Sequence, residues 1–316
     1  MADERIEKLA KLCVHYSVAL QRKEKVLIRG SDLAFPLINE IYKQCLLSDA
    51  YPSILPILDV EYTFFKYAKP HQLRFVSPLD KLRIENTDVL ITAWCHPNPK
   101  GLSSIEPSKI KTHRAARKDL AETFNTRAAE GTLKWTLLPF PINAQAQEAN
   151  MSLSEYEDFV YSSCFVDKQD PIAEWRKISQ QQQKLCDFLG EISEIRVTGE
   201  DTDLRFRVDA RTWINSDGKR NMPSGEVFTA PLEKSASGTI RFTFPGIYAG
   251  KEVEDIKLTF AEGKVVKASA AKGNDLLQQV LEIDGADHIG ETAIGTNYGI
   301  TRFTKNMLFD EKMGGT

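Results

Sequence analysis

The sequence predicts an α/β fold in two parts: an N-terminal α/β domain with a mainly parallel sheet over residues 1–190, then a β-rich α+β domain over residues 191–316. Between residues 25 and 139, short β-rich runs alternate with amphipathic segments long enough to be helical crossovers, which is the pattern of parallel strand pairs. Beyond Gly190 the apolar residues recur with period two and short turns interrupt the runs, as antiparallel hairpins require. At 316 residues the chain is also long enough for two cores.

In the first part, Ile6, Leu9, Ala10, Cys13 and Leu20, with Ser17 on the same stripe, predict an amphipathic helix from Glu4 to about Leu20. Lys25–Gly30 reads as a strand ended by glycine, and Ser31-Asp32 supplies the cap of a helix reaching about Leu47. Ser53–Leu58 is a second strand, placed near a sheet edge by Pro56, which has no N–H for a central ladder. Thr87–Trp94 and Lys134–Pro139 are further strands, with one helix from about Pro107 to Glu130 between them. Ligands of such sheets lie at the carboxyl ends of the strands, but no Gly-x-Gly-x-x-Gly or Walker-type loop supports a nucleotide there. Met151 to about Ile192 reads as helical, with Trp175, Ile178, Leu185 and Phe188 on one side and the Gln180–Gln183 run as a polar face. In the second part, Glu194–Thr198 and Asp203–Val208 form a hairpin, and Thr239–Phe244 continues the β pattern. Ile256–Phe260 and Lys264–Ala268 flank a three-residue loop, and Leu276, Leu277, Val280 and Leu281 mark a helix from Asn274 to about Ile283.

A composition of 42% hydrophobic and 27% charged residues is that of a folded globular chain, without the roughly 20 consecutive apolar residues a membrane helix needs. A net charge of −3 gives no electrostatic case for nucleic acid or an anionic membrane. The basic cluster Lys109, Lys111, His113, Arg114, Arg117 and Lys118 stands beside Asp119 and Glu122 and reads as a solvated helix face. Five scattered cysteines, with no Cys-x-x-Cys pair, read as reduced buried thiols. With no secretory signal in the first residues, the cytoplasm is the expected compartment.

The chemistry concentrates in three pieces. In Asn221–Pro231, Glu226 follows a Pro/Gly turn and opens a run of β-branched and aromatic residues, so its backbone is fixed and its carboxylate is well placed to hold a metal. Glu291 stands beside Gly290, which permits close backbone approach, and Glu311 belongs to Asp310-Glu311-Lys312 near Thr316. Read alone, Glu226 is first a solvated surface carboxylate, Glu291 carries a weaker local signal, and Glu311 reads as part of a surface turn. Together the three pieces resemble the thermophilic aminopeptidase family, the aminopeptidase T or M29 group of dinuclear metallo-exopeptidases.

The resemblance implies a metallopeptidase domain in the second part, with Glu226 and Glu291 as metal ligands and Glu311 as a third. It favours Glu291 as the catalytic carboxylate bridging two divalent ions, with zinc, cobalt, manganese and magnesium all open; Asp310 is placed to orient a ligand. The implied reaction is release of N-terminal residues from short peptides, within a homodimer that encloses the active sites. The resemblance also implies His ligands after the Asp-Glu-Lys segment and a later Asp, positions that none of the five histidines occupies. The expectation for the 316-residue chain is therefore a C-terminally incomplete site, poor metal retention and little activity. A competing expectation is a catalytically silent α/β protein that dimerises or binds peptides. A third is a small-molecule site at the strand ends near Cys95 and His96, where a Cys/His nucleophile pair would also have to lie.

Overall fold

The computed structural model describes residues 3–248 and 251–316; Met1, Ala2, Ala249 and Gly250 lie outside the described residues. The chain divides into two units, Met1–Glu174 with Gly218–Pro223, and Trp175–Asp217 with Ser224–Thr316.

The first unit is built on a parallel sheet of β1 (Lys25–Ser31), β2 (Tyr51–Ile57), β3 (Val89–Trp94) and β4 (Lys134–Pro139), in the order β2-β1-β3-β4. Its central strands are buried, with Val26, Ile28, Val89, Ile91 and Leu138 in the core. The edge position expected from Pro56 holds, and the register explains it. Tyr51 donates its N–H inward to the Glu24 carbonyl at 2.8 Å, so the alternation turns the nitrogens of Pro52 and Pro56 outward, where a missing N–H costs no ladder bond. The loop Gly218–Pro223 adds to the other edge: Leu137 donates to the Arg220 carbonyl and Met222 to the Leu137 carbonyl, both at 2.9 Å.

Several helices depart from the sequence expectation. The first, Glu4–Leu12, widens into a π-helical turn over Cys13–Ser17 and stops short of Leu20, because Ala19 turns into the left-handed region at φ 41°. The single helix expected from Pro107 to Glu130 is two, Pro107–Ala116 and Lys118–Ala129. Arg117 breaks them at φ −97°, ψ 11°, its guanidinium bonding the His113 and Phe75 carbonyls. Between β2 and β3 lie three short helices, Glu61–Tyr67, Pro70–Arg74 and Pro78–Asn86, each too short to show a periodicity. The helical stretch from Met151 is likewise divided into Leu153–Ser163, opened by a Ser152–Glu155 capping box, and Pro171–Gly190.

The second unit carries a five-stranded antiparallel sheet in the order β13-β12-β9-β6-β5. Its strands are β5 (Glu194–Gly199), β6 (Thr202–Arg207), β9 (Ser237–Phe242), β12 (Ile256–Ala261) and β13 (Lys264–Ser269). Both expected hairpins are present, β5 with β6 and β12 with β13. A smaller antiparallel sheet, β14-β8-β7, joins β7 (Ile214–Ser216), β8 (Glu226–Thr229) and β14 (Thr292–Gly295), and β10 (Gly246–Tyr248) pairs with β11 (Lys251–Val253). The core of this unit is Leu204, Phe206, Val208, Trp213, Val227 and Phe260, packed with Cys186 and Leu189 of the helix Pro171–Gly190. The helix Asn274–Leu281 buries Leu277. Among the described residues no helix is long and apolar enough to cross a membrane.

The phase of Pro171–Gly190 corrects one reading and extends another. Trp175, Gln182, Cys186 and Leu189 are buried while Phe188 is 61% exposed, so the buried stripe runs through the glutamine run rather than past it. Leu189→Ala should therefore cost about 2–4 kcal/mol, and Phe188→Ala less than about 0.5 kcal/mol, in urea denaturation. Equal costs would mean that the helix is rotated from this phase.

Candidate metal centre

Glu226 opens β8, and strand alternation sends its neighbour Val227 into the core while Glu226 faces the other side. β8 is paired on both flanks, Glu226 lying opposite Ser216 of β7 and opposite Gly295 of β14. Its backbone carbonyl accepts a bond from Gln182 Nε2 at 2.5 Å, and the same nitrogen lies 3.2 Å from the Ser216 carbonyl. The carboxylate is thus carried on a segment fixed from three directions.

The last residues approach this strand across β14. Asn297 donates its backbone N–H to the Lys312 carbonyl and accepts from Gly314, both at 3.0 Å, and Gly295 donates to the Thr316 carbonyl at 2.9 Å. The approach is so close that a Cβ on Gly295 would lie 2.0 Å from the Met313 carbonyl oxygen. Asn297 itself is fully buried, and its Nδ2 donates to the Ser224 carbonyl at 2.8 Å. Gly225, at φ +113°, lies against it, where a Cβ would fall 2.6 Å from the Asn297 Cβ. One asparagine therefore ties the turn before Glu226 to the segment that carries Glu311 and Lys312.

The result is a charged cluster. Lys312 is wholly buried; its Nζ lies 3.5 Å from Glu226 Oε1 and bonds Glu311 Oε1 directly. Glu226 is 9% exposed. Burial pushes its carboxyl above the ordinary glutamate range; the Lys312 ammonium opposes this, and the Glu311 and Glu291 carboxylates add to it. Glu291 stands one residue before β14, exposed, at the end of the strand away from Gly295. Its backbone is about 13 Å along the strand from the Glu226 pair. Glu226 and Glu311 are thus gathered around one ammonium, and Glu291 acts on them from further off. Among the described residues no three His, Cys, Asp or Glu side chains are grouped to hold a metal ion.

The sequence of the whole chain decides the family. The family described as thermophilic metalloprotease (M29) matches residues 2–316. The chain belongs to the M29 family. Aminopeptidase 2 of Geobacillus stearothermophilus is similar to it, 28% identical over 338 residues that span 98% of this chain and 81% of that protein. Aminopeptidase PepS of Streptococcus thermophilus is 27% identical over 345 residues, with the same shares covered. Among solved structures, wild-type AmpT from Thermus thermophilus matches with a TM-score of 0.86 at 21% identity, over 98% of this chain and 84% of that one, a likeness of fold. As an M29 protein the chain is a peptide-bond hydrolase of a metal-dependent family. The donor chemistry of the cluster fits that dependence. Its carboxylate oxygens are hard ligands suited to divalent ions, and three carboxylates against one ammonium leave negative charge for a cation to neutralise.

Other residues singled out in the M29 sequence have structural work. Both Asp310 oxygens accept within its own loop, from Thr304 N at 2.7 Å, Thr304 Oγ1 at 2.9 Å and Asn306 N at 2.8 Å, so Asp310 shapes the turn beside Glu311. His288 Nδ1 pairs with Asp287 at 2.6 Å, and His113 packs between Phe64 and Phe65. Burial pushes the Cys95 thiol up, with a Ser31 hydrogen bond opposing and Asp32 adding, the reverse of an activated nucleophile. Gln182, which the sequence pattern places on a polar helix face, and Lys312 are both buried. The spacing Ile178, Gln182, Cys186, Leu189 was the signal for the first; for the second there was none, because its burial arises from the pairing of residues 312–316 with β14.

The raised carboxyl of Glu226 fixes a pH dependence. A folded-state pKa above the ordinary value, about 4.3, means the folded protein binds this proton more tightly than the unfolded chain. Its contribution to stability is then favourable below the unfolded value and is lost as pH rises through the folded one. Metal-free Glu226→Gln should accordingly gain on the wild type as pH climbs from 4 to 8 in thermal unfolding. A gain that shrinks over that range would contradict the burial argument.

Proposed function

We propose that this chain is a metallo-aminopeptidase that releases N-terminal residues from short peptides with two divalent ions, zinc, cobalt, manganese or magnesium. The observation that carries this reading is Glu226. It is a carboxylate kept in a buried position where its charge is unfavourable, with Glu311 and Glu291 adding like charge, an arrangement that weakens a fold unless a cation is meant to arrive. The relatives, named as aminopeptidases, support the exopeptidase reading.

In this reading Glu226, Glu291 and Glu311 would hold the ions, with Glu291 the catalytic carboxylate among them. Bound there, the ions would supply a water nucleophile at neutral pH and polarise the scissile carbonyl. The chain's own residues do the positioning. Gln182 and the two flanking strands fix Glu226, so it does not reorganise when a cation binds. The excess of carboxylate at the exposed Glu291 and half-exposed Glu311 attracts the α-ammonium of a free peptide N-terminus, which is what exo-cleavage requires.

The second part, residues 191–316, is the catalytic domain in this proposal, and residues 1–190 an α/β domain beside it in sequence. A homodimer is supported by the apolar side chains left exposed around the edge strand, Leu47, Tyr51, Ile54, Ile57 and Leu58. A cytoplasmic setting is supported by five cysteines that are all free.

The test is metal stoichiometry alongside cleavage. Dialysis against manganese should load two ions per chain, and both Glu226→Gln and Glu291→Gln should lower that number and reduce kcat/KM on a leucyl tripeptide by about 100-fold or more. The N-acetylated tripeptide should be inert. Unchanged stoichiometry in both variants, or cleavage of the blocked peptide, would overturn the proposal.

A further inference from the structure

Lys312 is the least expected residue of the cluster. An ammonium taken wholly out of water is costly unless carboxylates meet it, and here the carboxylates come from two different segments of the second unit. Its position is not left to a flexible stem alone. The Lys312 backbone is clamped on both sides, its N–H donating to the Phe309 carbonyl at 2.9 Å and its carbonyl accepting from Asn297 at 3.0 Å. The same asparagine holds the turn that leads into Glu226. The fold therefore delivers one cation to a fixed place between Glu226 and Glu311.

We propose that Lys312 is the resident counter-ion of the carboxylate site, a positioning residue that holds Glu226 and Glu311 together in the metal-free protein and competes with divalent ions for them. The inference rests on the reading of Glu226 as a metal ligand. Without a cation, the carboxylates of Glu226 and Glu311 would repel each other in a partly buried setting and swing apart. With Lys312 between them the donor geometry is preserved before any ion binds. The same ammonium lies 3.5 Å from Glu226 Oε1, and its positive charge opposes an incoming ion. Lys312 thus exchanges part of the site's affinity for its organisation.

The experiment compares wild type, Lys312→Met, Glu226→Gln and the charge-neutral double variant Glu226→Gln/Lys312→Met. Thermal unfolding is read in chelator, and manganese binding by calorimetry. Metal-free Lys312→Met should unfold roughly 5–10 °C below wild type, since two carboxylates lose their partner. The double variant should recover most of that loss. Saturating manganese should raise the melting temperature of Lys312→Met more than that of wild type, and its Kd should be at least about fivefold tighter. An unchanged metal-free melting temperature, or manganese binding no tighter than wild type, overturns the proposal. If Lys312→Met does not fold, the double variant decides: its folding upholds the counter-ion role, and its failure reduces Lys312 to packing. Glu226→Gln separates the two claims. Manganese bound by that variant as tightly as by wild type would remove Glu226 as a ligand, while the metal-free comparison would still judge Lys312.

Discussion

The second unit depends on the run of residues 312–316 alongside Gly295–Asn297, because nothing else brings the charges of Lys312 and Glu311 to the start of β8. That pairing needs a residue without a side chain at Gly295, where the Met313 carbonyl passes, and a buried amide at Asn297 that satisfies the Ser224 carbonyl. It also needs Gly225 in the left-handed region, since any Cβ there would collide with Asn297. Three small local requirements, one at Gly225 and two within Gly295–Asn297, thus serve one long-range outcome. The polar groups involved are bonded to one another, so the crossing removes backbone from water without leaving it unpaired.

What the crossing delivers is unfavourable in isolation. A buried carboxylate with like charges nearby weakens the folded state, and a buried lysine offsets this only in part, as the direction of the Glu226 shift shows. Sequences selected for stability alone would replace such a group with an apolar one of similar size. Its presence in an M29 hydrolase is understandable if the site must offer hard oxygen donors to a cation. The surrounding order is then intelligible as support: Gln182 on the Glu226 carbonyl, both flanking strands, and Asn297 beneath.

The legibility of the sequence follows the range of the interactions concerned. The parallel strands were readable because Val26–Ile28 and Val89–Ile91 are apolar runs bounded by turns, and the edge strand because proline's missing N–H is a local fact. The antiparallel hairpins were readable from alternation and from turn residues. The division at Arg117 was not, since the bonds that break the helix reach back to Phe75. The phase error at Phe188 arose from ranking residues by hydrophobicity, which placed a phenylalanine inside and a glutamine outside; burial instead follows the backbone of β8, which needs a donor where Gln182 lies. In the site, the three glutamates stood out through turns and glycines beside them, whereas the contact between Lys312 and Glu226 joins residues far apart in the sequence and left no local trace.

The two units put their chemistry in different kinds of place. In the first, the carboxyl ends of parallel strands, where ligands of such sheets gather, hold a Cys95 thiol pushed up by burial and a His96 whose Nε2 lies 3.8 Å from Glu61. Neither group is prepared for nucleophilic attack, which requires a thiolate and a base within hydrogen-bond reach. In the second unit, Glu226 stands on a small antiparallel sheet whose strands come from three separate stretches of chain, and Glu311 and Lys312 reach it from the turn after residues 307–310. A site assembled that way gains rigidity from ladder bonds on both sides of β8. Rigidity matters most where like charges must be held close against their repulsion, and for that reason Glu226, the most buried of the three carboxylates, belongs on a strand paired on both sides rather than on the loops that end the parallel sheet.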